Sequence, residues 1–186
     1  MSNIAVIDTE TTWGDEVMSI GVVIADAKDY MQVESRYYVF DPEYRDGGFY
    51  SSELFRMSKK DTIITTRKTA LDQINTWLKK AGVKKIFAYN ASFDKNHIPE
   101  FSGYIWHDIM RLAAYKQYNS YIPEDAECCK SGKLKRNYGV EPITRMLSGN
   151  SRYFEMHNAL QDAKDELDIM RMLCLAIEAY EVGRLE

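Results

Sequence analysis

The stretch Asn3-Ile4-Ala5-Val6-Ile7-Asp8-Thr9-Glu10-Thr11-Thr12 sets an unbroken apolar run directly against two acids. The apolar residues read as a short strand buried on both faces, inside a sheet covered on either side. A carboxyl where such a strand leaves the core is costly unless something compensates its charge. Period-two geometry turns Asp8 and Glu10 to the same side of the extended backbone. Two converging carboxylates need a proton or a cation between them, and Mg²⁺ or Mn²⁺ prefers oxygen ligands. A strand followed by a polar turn of Thr9, Thr11 and Thr12 explains the same stretch, so the rest of the chain must decide.

Two further strands follow, at residues 18–25 and 35–40, the second halted by Asp41-Pro42. Their short connections predict an antiparallel meander. Residues 43–58, with Gly47-Gly48 and several aromatics, read as an irregular excursion. Ala70, Leu71, Ile74, Trp77, Leu78 and Ala81 recur at three-four spacing and predict a helix over 69–81 that stops before Gly82. The apolar run 84–89 is entered from that helix and is expected to lie parallel to an earlier strand. Helices are expected over 107–118, 141–147 and 158–180, with a Lys-rich loop between the first two. The absence of repeats and linkers makes residues 1–186 one α/β domain.

Composition narrows the function classes. The net charge of −4 argues against a protein that grips nucleic acid by a bulk positive field. It does not argue against a nuclease, because carboxylates gathered around a metal count against the total. No apolar run approaches a membrane span, and the N-terminus lacks a signal-peptide pattern, so no membrane association is expected. Cys128, Cys129 and Cys174 form no disulfide or zinc pattern, which fits a reducing cytoplasm.

Two more groups could carry chemistry. Asp94 follows the 84–89 strand as Asp8 follows the first, and ligand sites in α/β sheets lie outside such strand ends. Asn90 is suited to the turn between them, and Phe93 is either core or a stacking platform. In His157-Asn158-Ala159-Leu160-Gln161-Asp162, Asn158 can cap the last helix with Gln161 completing a capping box. Helical spacing sends Asp165 and Asp168 to a solvated face, whereas Asp162 and Glu166 point towards the core. Asp162 is either a favourable first-turn acid or a metal ligand. His157 stands beside it, in the pH range where imidazole accepts a proton. His97 and His107 read as structural or surface residues.

Asp8-Thr9-Glu10, Asn90-x-x-Phe93-Asp94 and His157 followed by Asp162 together resemble the three ordered motifs of the DEDDh exonucleases. This is the DnaQ-like family of the ribonuclease H-like superfold. The resemblance spans nearly the whole chain, and His157 places it in the His branch. It implies a mixed five-stranded sheet flanked by helices, three strands antiparallel and the rest parallel. It also implies 3′-to-5′ hydrolysis releasing nucleoside monophosphates. Asp8, Glu10, Asp94 and Asp162 would hold two Mg²⁺ or Mn²⁺ ions, with His157 as general base. Glu10, Thr11, Thr12 and Trp13 would meet the terminal nucleotide, Trp13 being either a base-stacking residue or a loop anchor. Asn90 and Phe93 complete the candidate substrate contacts. Lys130, Lys133, Lys135 and Arg136 form a basic cluster that is either a phosphate contact or a solvated flexible loop. The expected partner is a single-stranded 3′ end, DNA ahead of RNA, with a DNA polymerase or other replication or repair protein as a further candidate. The alternatives are an RNA- or oligonucleotide-trimming enzyme of the same chemistry, and a catalytically silent nucleic-acid-binding module.

Overall fold

The computed structural model describes residues 2–56 and 61–186. Strands β1 (Asn3–Thr11), β2 (Val17–Asp26) and β3 (Gln32–Phe40) form the antiparallel meander. Strands β4 (Thr62–Thr65), β5 (Lys85–Ala88) and β6 (Ile105–Asp108) extend it in parallel at both edges. The order is β4-β3-β2-β1-β5-β6, six strands where five were expected.

The side chains of β1 explain its central place. Ile4 and Val6 enter one apolar core with Val23, Phe87, Leu160 and Ala163, whereas Ala5 and Ile7 enter another with Ile20, Val22, Ile74 and Trp77. Helices α4 (Val140–Ser148) and α5 (Ala159–Leu173) close the first core, and α1 (Arg67–Lys80) closes the second. Each large side chain so buried contributes about 1.5–3 kcal/mol. The same alternation puts Asp8 on the Ile4–Val6 face, so β1 delivers its first acid to the α5 side.

Gly21 stands opposite Asp8 in the β1–β2 register. A Cβ at Gly21 would lie 2.2 Å from the carbonyl oxygen of Ala159, so only glycine lets the start of α5 settle on the sheet beside Asp8. Gly21→Ala is expected to cost ~3 kcal/mol, the upper part of the usual overpacking range. A urea unfolding midpoint unchanged from the parent would contradict this close approach.

Two helices differ from expectation. Residues 105–108 are strand β6 with Trp106, His107 and Asp108 buried, and only Met110–Ala113 (α3) form a helical turn. Asn119 Nδ2 then donates to the carbonyl of Ala113 at 2.7 Å, occupying the acceptor that a longer helix would use. Helix α5 stops at Leu173, where Cys174 takes a left-handed conformation at φ 53°, rather than running to residue 180. A 3-10 turn, Ile177–Gly183, carries the chain back to β6, and Leu185 N–H donates to the Trp106 carbonyl at 2.9 Å. The excursion from residue 43 contains two 3-10 turns, Glu43–Asp46 and Ser51–Glu53, and its residues 57–58 lie outside the described residues. Among the described residues no helix is long and apolar enough to cross a membrane.

Candidate active site

The end of β1, the junction after β5 and the start of α5 converge on one cleft of about 230 Å³. Its lining includes Asp8, Glu10, Asp94, Asp162 and His157, together with Thr11, Asn90 and Phe93. Asp94 sits in the first turn of α2 (Ser92–His97), and Asn90, at φ 61°, makes the bend before it while its N–H donates to Asp108 Oδ1 at 2.9 Å. The Thr9 hydroxyl donates to Asp94 Oδ1 at 2.7 Å, tying the second acid-bearing segment to β1. Asn158 caps α5 by accepting from the Gln161 N–H at 3.3 Å, which fixes the turn that presents Asp162. Glu10, His157 and Asp162 each offer an atom within 4.8 Å of the other two.

Thr12 and Trp13 fall outside the lining. The Thr12 hydroxyl oxygen accepts from Gly14 and Glu16 N–H within the turn after β1. Trp13 is 64% exposed, not a buried anchor, and its ring lies 4.5 Å from Phe49, which does line the cleft. Phe93 is half-exposed and packs on His97, while His107 is buried against Phe87. Asp168 is solvated as expected, but Asp165 is buried and accepts from Tyr153 Oη at 2.6 Å and Gln161 Nε2 at 2.8 Å. The Lys130–Arg136 loop is pinned rather than loose: Leu134 N–H donates to the Ala114 carbonyl at 2.9 Å and Lys135 N–H to Glu127 at 3.0 Å. The hydroxyl of Tyr89, a cleft residue, donates to the Tyr138 carbonyl just beyond that loop.

The electrostatics are dominated by burial and like charge. Burial raises the Asp8 carboxyl well above its ordinary value, with Glu166, Asp94, Asp162 and Glu10 adding repulsion. Burial and then Asp162 push Glu10 up to about 9, and burial and then Glu155 push Asp162 up to about 8. Asp94 rises to about 7 through burial, against the opposing hydrogen bond from Thr9. Among the described residues, Asp8 Oδ2, Asp162 Oδ1 and Glu166 Oε2 are buried without a hydrogen-bond partner. Unsatisfied buried carboxylate oxygens in this number are costly unless a cation completes them, so the donor set fits hard divalent ions. Burial lowers the His157 imidazole, favouring its neutral form.

Several participants fall outside the three motifs. Glu166 is one turn beyond Asp162 and only 1% exposed, and its core-facing spacing was the available signal. Glu155, raised to about 7 by burial and by Glu141, lines the cleft with no motif to announce it. Phe49 and Tyr50 arrive from the excursion after β3.

No protein-family model and no curated protein matches the chain. Solved structures do. The chain is similar to exonuclease X in complex with 5′-overhanging duplex DNA, with TM-score 0.59 and 18% identity over 97% of this chain and 99% of that one. It is similar to the nuclease domain of 3′hExo, a DEDDh family member bound to rAMP, with TM-score 0.66 and 15% identity over 100% and 96%. It also matches E. coli exonuclease I with single-stranded DNA, with TM-score 0.63 and 12% identity over 93% of this chain and 40% of that one. The architecture is the ribonuclease H-like fold. Within that class it is the fold of the DEDDh exonucleases.

Proposed function

We infer that residues 1–186 form one exonuclease domain that hydrolyses single-stranded nucleic acid from its 3′ end, DNA ahead of RNA, releasing nucleoside 5′-monophosphates. The observation that carries this reading is the meeting of Asp8, Glu10, Asp94 and Asp162, from three separate segments, with His157 in one cleft. The fold supports it, since exonuclease X is solved with DNA and 3′hExo with rAMP. The three free cysteines suit a reducing, cytoplasmic setting.

Asp8, Glu10, Asp94 and Asp162 would hold two Mg²⁺ or Mn²⁺ ions. Bound ions of this kind supply charge stabilisation to the attacking and leaving oxygens of an in-line displacement. His157, neutral and beside Glu10 and Asp162, accepts a proton from the attacking water as its oxygen bonds to phosphorus and the bond to the preceding 3′ oxygen breaks. Thr9 holds Asp94 in place through its hydroxyl. Thr11, Asn90 and Phe93 wall the space for the terminal nucleotide, and Thr12 braces the turn that carries Trp13. Lys130, Lys133, Lys135 and Arg136 would meet upstream phosphates on this reading, although Arg136 already pairs with Glu127 at 3.3 Å and Lys133 lies over the Tyr138 ring.

Trp13 with Phe49 offers an exposed aromatic face beside the cleft. Trp13→Ala is expected to weaken single-strand binding by about 1–3 kcal/mol, the usual worth of one stacked base. Fluorescence titration of a labelled oligonucleotide measures this, and equal affinity in the variant would return Trp13 to a purely structural part. The function itself is tested by digesting 5′-labelled single-stranded DNA and RNA with Mg²⁺ or Mn²⁺. The expected result is a ladder shortening from the 3′ end, lost with EDTA. A folded protein that binds Mn²⁺ yet digests neither polymer overturns the reading in favour of a silent binding module.

A further inference from the structure

Residues 47–53 cross the mouth of the cleft as a strap tied at both ends. At one end Trp13 N–H donates to the Gly47 carbonyl at 3.0 Å, and a Cβ on Gly48 would lie 2.4 Å from the Thr11 carbonyl oxygen. That end is fixed to the strand that carries Asp8 and Glu10. At the other end Asn158 Nδ2 donates to the Glu53 carbonyl at 3.0 Å, while the Oδ1 of the same side chain caps α5. Between the ties the Tyr50 ring lies flat on the imidazole of His157, centroids 3.9 Å apart and planes 13° from parallel.

His157 needs such a hold. Its backbone is left-handed at φ 55°, a conformation that a non-glycine residue keeps only when its surroundings impose it. Among the described residues no hydrogen bond reaches its ring, so the stack is what orients the imidazole over Glu10 and Asp162. Stacked rings attract beyond the area they bury, which biases a loop side chain towards one rotamer.

We propose that Tyr50 is the positioning residue for His157: its ring fixes the plane and reach of the imidazole, and the strap exists to hold Tyr50 there. This rests on the exonuclease reading, in which His157 takes the proton from water. Tyr50 itself touches no reacting atom.

The test uses Tyr50→Leu and Tyr50→Phe in the full chain. Tyr50→Leu is expected to lower kcat by about 10-fold or more with KM within about twofold, a part of the 10²–10⁴-fold that a placed general base contributes. Tyr50→Phe, which keeps the ring, should restore the rate. In a His157→Ala background, Tyr50→Leu should cost nothing further, since residues acting through one another are not additive. The ring-proton resonances of His157, one of three histidines, should move downfield in Tyr50→Leu as the ring current is lost. A raised KM with kcat intact would make Tyr50 a substrate wall and overturn the proposal, as would unmoved His157 resonances. The resonance measurement needs no turnover, so a wild-type chain that digests nothing fails the exonuclease reading while the stack is still decided.

Discussion

On the exonuclease reading Asp8→Ala is expected to remove 3′-end digestion, lowering kcat on the order of 10³-fold, at the scale of deleting a preorganised electrostatic group from an active site. Asp8 is the acid facing Glu166, Asp94, Asp162 and Glu10 at once, and its Oδ2 has no hydrogen-bond partner among the described residues. On the exonuclease reading the substitution deletes an oxygen that the divalent ions would require, yet it also removes the centre of a mutual repulsion. Activity and stability should therefore separate: the metal-free melting temperature of the variant stays level or rises while turnover disappears. Digestion assays beside thermal melts followed by circular dichroism read both. Turnover retained in Asp8→Ala would remove the basis for the proposed reaction.

The metal-free protein is expected to lose stability steadily from about pH 4 to about pH 9, and a divalent cation should restore it. The sign follows from proton counting. Glu10, Asp162 and Asp94 are raised from ordinary values of 4.5, 3.8 and 3.8 to about 9, 8 and 7. In that window the folded state holds protons that the unfolded state has released, so stability falls as pH rises. The contribution is complete below the unfolded values and gone once pH passes the folded ones. Each of the three carboxyls holds its proton more tightly folded than unfolded, so all three act in the same direction. Mn²⁺ binding to the folded state opposes the loss by mass action. The gap between melting temperatures in EDTA and in Mn²⁺ should widen from pH 5 to pH 9. A metal-free melting temperature flat across that range would show that the carboxyls do not press on one another as the structure places them.

The parts legible in sequence were those whose pattern is local. The Ile4–Ile7 run, the Ala70–Leu78 spacing and the Asn158 cap each state their own secondary structure, and α1 and the β1–β3 meander follow. The acids were legible because each stands at the end of such an element. Strand β6 was hidden because four residues of strand run almost directly into the turn of α3, blending two periodicities into the pattern of one helix. The end of α5 was hidden because the left-handed turn at Cys174 has no glycine to mark it. Asp165 was misplaced on a solvated face because its partner Tyr153 lies in the segment before the helix, beyond the reach of helical spacing. The contact of Tyr50 with His157 joins residues over a hundred positions apart, and no periodicity can express it.

The wide separation of Asp8 and Asp94 from Asp162 along the chain also governs when the cleft comes into being. The start of α5 must settle over Gly21 before Asp162 reaches the acids of β1 and α2. A chain still emerging from the ribosome would carry Asp8, Glu10 and Asp94 on a nearly complete sheet but no assembled centre. On the exonuclease reading, hydrolysis begins only with the last long helix, and the nucleic acid around the growing polypeptide meets no half-made nuclease.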